Sequence, residues 1–223
     1  MYRPIRAVFW DFGGVITSSP FEAFRRYESE RGLPQDFLRE TNAVNHEHNA
    51  WAKLERNEIS PAEFDTLFLA ETSARGHAVP GRDVLPLLAG SVRPYMVEVL
   101  RRVRDDYRVA CLTNNIAFGQ GPSMTLDGGV AREIEAIMKL FDFVLESSKA
   151  GVRKPDPRFY EMACDALDVE PAEVVYLDDL GVNLKPAREL GMRTIKVADP
   201  IVAIRELGEA LAIDFFATPV SGH

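Results

Sequence analysis

The stretch "VVYLDDLGVNL" (residues 174–184) decides how this chain is read. Four β-forming residues, Val174 to Leu177, run without polar alternation and stop at two adjacent aspartates, Asp178 and Asp179. An unbroken apolar run of that length suits a strand buried on both faces, as in a parallel sheet covered by helices on each side. Similar runs occur in "AVFW" (7–10), "RVACL" (108–112), "FDFVL" (141–145) and "TIKV" (194–197). Helical patterns lie between them. "RPYMVEVLRRVRDDY" places Pro94 at a first helical position and Met96, Val99, Leu100 and Val103 on one face. "DPRFYEMACDAL" opens with Asp156 as an N-cap and carries an expected stripe of Phe159, Met162, Ala163, Ala166 and Leu167. "NLKPARELG" stops at Gly191. The alternation predicts an α/β fold with a Rossmann-like parallel sheet core.

Residues 17–91 break the pattern, with no convincing strand. "PFEAFRRYESERG" reads as a helix from Pro20 to a stop at Gly32. "SPAEFDTLFLAE" carries a capping box from Ser60 to Glu63, and "DVLPLLAGS" is a short helical piece. The expected organisation is a core of residues 1–16 and 92–223 interrupted by an all-helical cap, 17–91, hinged near Thr17 and near Ser91 to Pro94. "IAFGQGPSMTLDGGV" (116–130) reads as a long glycine-rich loop.

Composition narrows the function. A net charge of -8 without a basic cluster argues against nucleic acid or an anionic membrane as partner. No apolar run approaches the ~20 residues of a membrane helix. Cys111 and Cys164 fall inside apparent secondary structure, so they are expected to be buried thiols in a reducing compartment, with a cytoplasmic location.

The strand ends then carry the argument. "AVFW" ends in Asp11, "VACL" in Thr113 and Asn114, and "VVYL" in Asp178 and Asp179. Open parallel sheets bind ligands beyond the carboxyl ends of their strands. Gathered carboxylates repel unless a cation sits among them, and oxygen-only ligands point to Mg²⁺. Lys154, just before the helix opened by Asp156, adds an anion-binding element. Together these groups suit phosphoryl transfer.

"VFWDFGGVI", "CLTNN", "GVRKPDPRFY" and "VYLDDLGVNLKPARELGMRTIKV" resemble, in order, the four motifs of the haloacid dehalogenase superfamily. The pattern is nearest to the phosphatase-like domains that open soluble epoxide hydrolase and an acyl-CoA dehydrogenase family member. The resemblance implies a hydrolase with a helical cap that acts on a small phosphorylated metabolite; monomer and homodimer are both open. It implies that Asp11 is the nucleophile and forms an aspartyl-phosphate. Thr113 and Asn114 hold phosphoryl oxygens, and Lys154 neutralises charge. Mg²⁺ is held by Asp11, the Gly13 carbonyl and Asp179, with Asp178 as an outer or alternative ligand. One departure stands out: where the phosphatases carry a second aspartate as general acid, this chain has Gly13. Such an acid is typically worth ~10²–10⁴-fold. Substrates with good leaving groups, such as acyl phosphates or sugar 1-phosphates, are therefore expected. A 2-haloacid dehalogenase and a weakly active phospho-ligand binding module remain the alternatives.

Plainer readings stand beside these. Asp-Phe-Gly-Gly is good turn chemistry by itself. His46 and His48 are spaced i, i+2, which does not share a helix face, and read as a solvated helix of the cap. Phe21 and Trp51 are expected in the cap's own core, and Arg25 and Arg26 on its surface.

Overall fold

The unbroken apolar runs form the centre of a five-stranded parallel sheet in the computed structural model, which describes residues 4–88, 90–115 and 128–217. The strands are β1 (Ala7–Trp10), β2 (Arg108–Thr113), β3 (Phe143–Glu146), β4 (Val174–Asp178) and β5 (Arg193–Lys196), in the order β3-β2-β1-β4-β5. Every adjacent pair is parallel. Trp10 stands beside Cys111 of β2 and Leu177 of β4, so the carboxyl ends of the three central strands lie level.

Burial on both faces explains the missing alternation. Val8, Trp10, Val109, Cys111, Val175 and Leu177 pack with α6 (Pro94–Val103), α7 (Gly128–Met138) and α11 (Pro200–Leu211). The residues between them, Ala7, Phe9, Ala110, Leu112, Val174 and Tyr176, pack with α9 (Pro157–Leu167) and α10 (Gly181–Glu189). Each of the three central strands thus points apolar side chains alternately into two cores. In α9 the buried stripe is Phe159, Tyr160, Ala163, Cys164 and Leu167. It is rotated from the expected one: Met162 is exposed, because Tyr160 and Cys164 fill the sheet-facing side. The expected glycine-rich loop ends earlier than predicted. Residues 128–130 already belong to α7, and 116–127 lie outside the described residues.

Between β1 and α6 the chain forms α1 (Pro20–Arg31), α2 (Phe37–Ala43), α3 (Ala50–Glu55), α4 (Pro61–Ala74) and α5 (Gly81–Val84), followed by a tight helical turn at Leu85–Leu88. Helix α1 stops at Gly32, whose φ of 64° terminates it in the left-handed region. Helix α4 opens with the capping box of Ser60 and Glu63. These helices bury their own cluster, including Phe24, Phe37, Leu38, Phe64 and Phe68, with Phe64 stacked on Phe68 at 5.2 Å. The entry and exit of this insert run side by side. The Ser18 N–H donates to Ser91 O at 2.8 Å, the Arg93 N–H to Ile16 O at 2.9 Å, and Thr17 bridges Val92.

Short helix α2 makes no cap bond with its own Asp36 side chain. The buried carboxylate of Glu28 supplies the acceptors instead, taking the N–H of Leu38 at 2.8 Å and of Asp36 at 2.9 Å. Replacing Glu28 with Leu leaves two backbone donors without partners, at about 1–3 kcal/mol each. Urea denaturation of Glu28→Leu is expected to show a loss in that range or above it; an unchanged midpoint would mean that water serves the helix end equally well.

Candidate active site

Asp11 follows β1 directly, and its N–H donates to Leu177 O at 2.8 Å, which extends the sheet pairing by one residue. Its Oδ1 accepts from the Phe12 N–H at 2.7 Å. The chain then turns through Phe12–Ile16, closed by the Thr17 N–H on Phe12 O at 3.0 Å. Gly14 has a φ of +78°, and a Cβ there would lie 2.2 Å from Asp179 Oδ2. Only glycine meets both conditions. Gly13 differs: its φ of -67° and ψ of 131° are ordinary extended values, and a Cβ would touch nothing within 4 Å.

The second element is a buried ion triad. Lys154 is 1% exposed, and its Nζ lies 2.9 Å from Asp11 Oδ1 and 2.8 Å from Asp178 Oδ2. Its backbone is clamped by Asn114, whose Oδ1 accepts from the Lys154 N–H at 2.9 Å and whose Nδ2 donates to Lys154 O at 3.0 Å. The Asn114 carboxamide is therefore engaged with the lysine segment, while buried Thr113 lies in the cavity wall. Asp178 is fully enclosed. Its Oδ2 also accepts from the Tyr176 hydroxyl, its Oδ1 from the Leu180 N–H at 2.8 Å, and both from Asn183 Nδ2 at 3.1 Å. Burial alone would lower the Lys154 ammonium, but Asp11 and Asp178 outweigh it and hold the group charged.

Asp179 is half-buried, and its Oδ2 accepts from the Ser19 hydroxyl at 3.1 Å. Burial first, then the charge of Asp178, pushes its carboxyl up to about 6. Burial pushes Asp11 up as well; Lys154 opposes that rise, and Asp178 and Asp179 add to it. Carboxylate oxygens of Asp11, Asp178 and Asp179 lie within 4.8 Å of one another. Three carboxyl groups share one ammonium in a confined space. That is the donor chemistry of a hard divalent cation, and Asp11 and Asp179 keep oxygens available for it.

A cavity of about 150 Å³ adjoins these groups. The sheet edge supplies Asp11, Thr113, Lys154 and Asp179; the insert supplies Phe21, Phe24, Trp51, Glu55 and Leu88. Phe21 and Trp51 meet the sequence reading and extend it. They pack against the insert's cluster and also line the cavity, because each is only half-buried. Arg25 and Arg26 are exposed and do not line it. His46 and His48 are exposed on a turn between α2 and α3, not on a helix. Pattern reading missed Glu55, Ser19 and Tyr176. Ser19 lies 160 residues from its partner Asp179, so no local spacing relates them. Tyr176 was legible in principle, since i, i+2 along a strand places it on the same face as Asp178.

Charged groups converging at the carboxyl edge of an open parallel sheet mark a ligand-binding α/β enzyme fold. The family model of haloacid dehalogenase-like hydrolases matches residues 5–191. The chain belongs to this family. It is 33% identical to acyl-CoA dehydrogenase family member 10 of Mus musculus over 94% of its length, and 30% identical to bifunctional epoxide hydrolase 2 of Sus scrofa over 96%. It spans only 19% and 40% of those two relatives. A sesquiterpene phosphatase of Aspergillus oryzae is 26% identical over 93% of this chain and 97% of its own. In structure, a haloacid dehalogenase family enzyme of Bacteroides thetaiotaomicron, solved with magnesium and inorganic phosphate, superposes with a TM-score of 0.56, covering 86% of this chain and 93% of its own at 19% identity.

Two outcomes follow from the geometry. Gly14→Ala forces Asp179 away and adds backbone strain, so it should lower stability by more than about 1 kcal/mol; calorimetry showing an unchanged melting temperature would contradict the close approach. The metal-free protein should lose stability as pH rises from near 4 to near 6. Over that window folded Asp179 retains a proton that the unfolded chain has released. Asp179→Asn should flatten that slope and raise the metal-free melting temperature at neutral pH. An unchanged slope would place the strain elsewhere.

Proposed function

We propose that the chain is a magnesium-dependent phosphatase of a small phosphate monoester, acting through an aspartyl-phosphate on Asp11. The observation that carries this reading is the shared Lys154 ammonium, which offsets only one of three clustered carboxylates. In this reading 17–91 is the cap and 1–16 with 92–223 the core. Lys154 aims Asp11 and opposes the rise that burial gives its carboxyl, and Asp178 holds Lys154. Thr113 and the main chain at Asn114 receive phosphoryl oxygens, with the Asn114 carboxamide fixing the lysine segment. Asp11, the Gly13 carbonyl and Asp179 would hold the metal, and Asp178 would stand behind them. Magnesium would supply positive charge that draws in the phosphate dianion and screens it from the attacking carboxylate.

The cavity wall supports an apolar leaving group: Phe21, Phe24, Trp51, Leu88, Ile134 and Leu180 line it. That favours an acyl or aryl phosphate over a sugar 1-phosphate. A dehalogenase would use the same aspartate on carbon without metal, and the surplus of buried carboxylate argues against it. A pure binding module would not need the nucleophile and lysine held at 2.9 Å.

Phosphate release from aryl phosphates should require magnesium, stop with EDTA and fall to background in Asp11→Asn. Rates should drop steeply as the leaving alcohol becomes less acidic. Gly13→Asp, which the open backbone at Gly13 accepts, should raise turnover of alkyl phosphates by up to about 10²–10⁴-fold. Turnover that persists in EDTA, or equal rates for aryl and alkyl esters, would defeat the proposal.

A further inference from the structure

Among the described residues, the insert places one carboxylate on the cavity wall that the phosphatase reaction does not use. Among the described residues lining the cavity, the titratable groups are Asp11, Glu55, Lys154 and Asp179. Lys154 is held between Asp11 and Asp178, and Asp179 is assigned to the metal. Glu55 is the one left. It ends α3 and is held from two sides. The Trp51 Nε1–H donates to its Oε1 at 3.0 Å, and Arg153, the neighbour of Lys154, pairs with its Oε2. Its backbone carbonyl accepts from the Ser147 hydroxyl at 2.8 Å, where α8 (Ser147–Ala150) follows β3. These contacts use two of the roughly four acceptor positions of a carboxylate. The other two are left for a cavity occupant.

We propose that Glu55 is the general base of the second half-reaction, activating the water that hydrolyses the phosphorylated Asp11. The proposal rests on the phosphatase reading above. In-line displacement places the leaving alcohol, and later the water, at the face of the phosphorus away from Asp11, which is the side the insert covers. In the first step the Asp11 oxygen bonds to phosphorus, and the alcohol oxygen leaves with its electron pair, taking a proton from solvent. In the second step the water oxygen bonds to phosphorus, its proton passes to Glu55, and the electron pair of the breaking phosphorus–oxygen bond returns to Asp11. Glu55 then releases that proton to solvent. Gly13 therefore costs the enzyme its acid for the first step and leaves the second step its base. Burial, which lifts the Glu55 carboxyl against the pull of Arg153 and Trp51, favours proton acceptance.

The test is stopped-flow hydrolysis of p-nitrophenyl phosphate with magnesium. Glu55→Gln should give a burst of about one nitrophenolate per site at the wild-type rate, followed by steady turnover slowed about 10²-fold or more. Phosphate trapped on the Asp11 peptide should accumulate in parallel. Arg153→Gln removes the same ion pair but keeps the carboxylate, and should not accumulate that species. Glu55→Asp, which keeps a shortened carboxylate, should give a smaller burst and serves if the glutamine variant folds poorly. Burst and steady phases that slow together, or Arg153→Gln matching Glu55→Gln, would reduce Glu55 to a structural tie and overturn the assignment. Wild-type protein that releases no nitrophenolate would remove the phosphatase reading and this proposal with it. Wild-type turnover without trapped phosphate in Glu55→Gln removes this proposal alone.

Discussion

The site depends on one buried ammonium. Lys154 reaches the carboxyl edge of the sheet and holds Asp11 and Asp178, which follow and end neighbouring parallel strands, at 2.9 and 2.8 Å. Two carboxylates side by side in a dry setting are expensive, and removing the lysine from such a cluster would leave them uncompensated. The lysine is itself fixed by the reciprocal carboxamide bonds of Asn114 at the end of β2. Three strand ends are thus tied through a single residue, two by its ammonium and one by its backbone, and the level register of β1, β2 and β4 makes that possible.

The same arrangement concentrates cost where chemistry is proposed. Asp179 is pressed against Gly14 so closely that no side chain fits, and its carboxyl is pushed up by burial and by Asp178. A surplus of negative charge lowers metal-free stability and raises affinity for a divalent cation; these are two views of one free energy. Asp178 is different in kind. Every acceptor direction it offers is taken by Lys154, Tyr176, Asn183 or the Leu180 N–H, so it acts as a fixed anchor. Adjacent residues of the same type therefore do different work because one ends a buried strand and the other begins a loop.

The legible part of the fold was what local pattern encodes. Apolar runs marked all five strands; covering both faces removes alternation in the central ones, while β5 at the sheet edge exposes Arg193 and Lys196, and Ser60, Asp156 and Gly32 marked helix ends through local chemistry. The stripe of α9 was misread because Met162 and Tyr160 are both apolar enough to face the sheet, and packing against Tyr176 at 5.6 Å decided for the tyrosine. Asp11, Lys154, Asp178 and Asp179 could be gathered in advance because strand ends in a parallel sheet share an edge. Glu55, Phe21 and Trp51 could not. Their position depends on how the insert lies over that edge, which is set by long-range contacts such as Arg153 with Glu55 and Ser147 with the Glu55 carbonyl.

In the proposed chemistry Asp11 is set free by water attacking phosphorus and not the aspartyl carbon. A single-turnover hydrolysis in heavy-oxygen water, followed by mass analysis of both the released phosphate and the peptide containing Asp11, tests it directly. The heavy oxygen should appear in the phosphate while the Asp11 peptide keeps its original mass. Heavy oxygen in the Asp11 carboxylate would show water attacking the aspartyl carbon, the outcome of carbon-centred chemistry, and would contradict the mechanism.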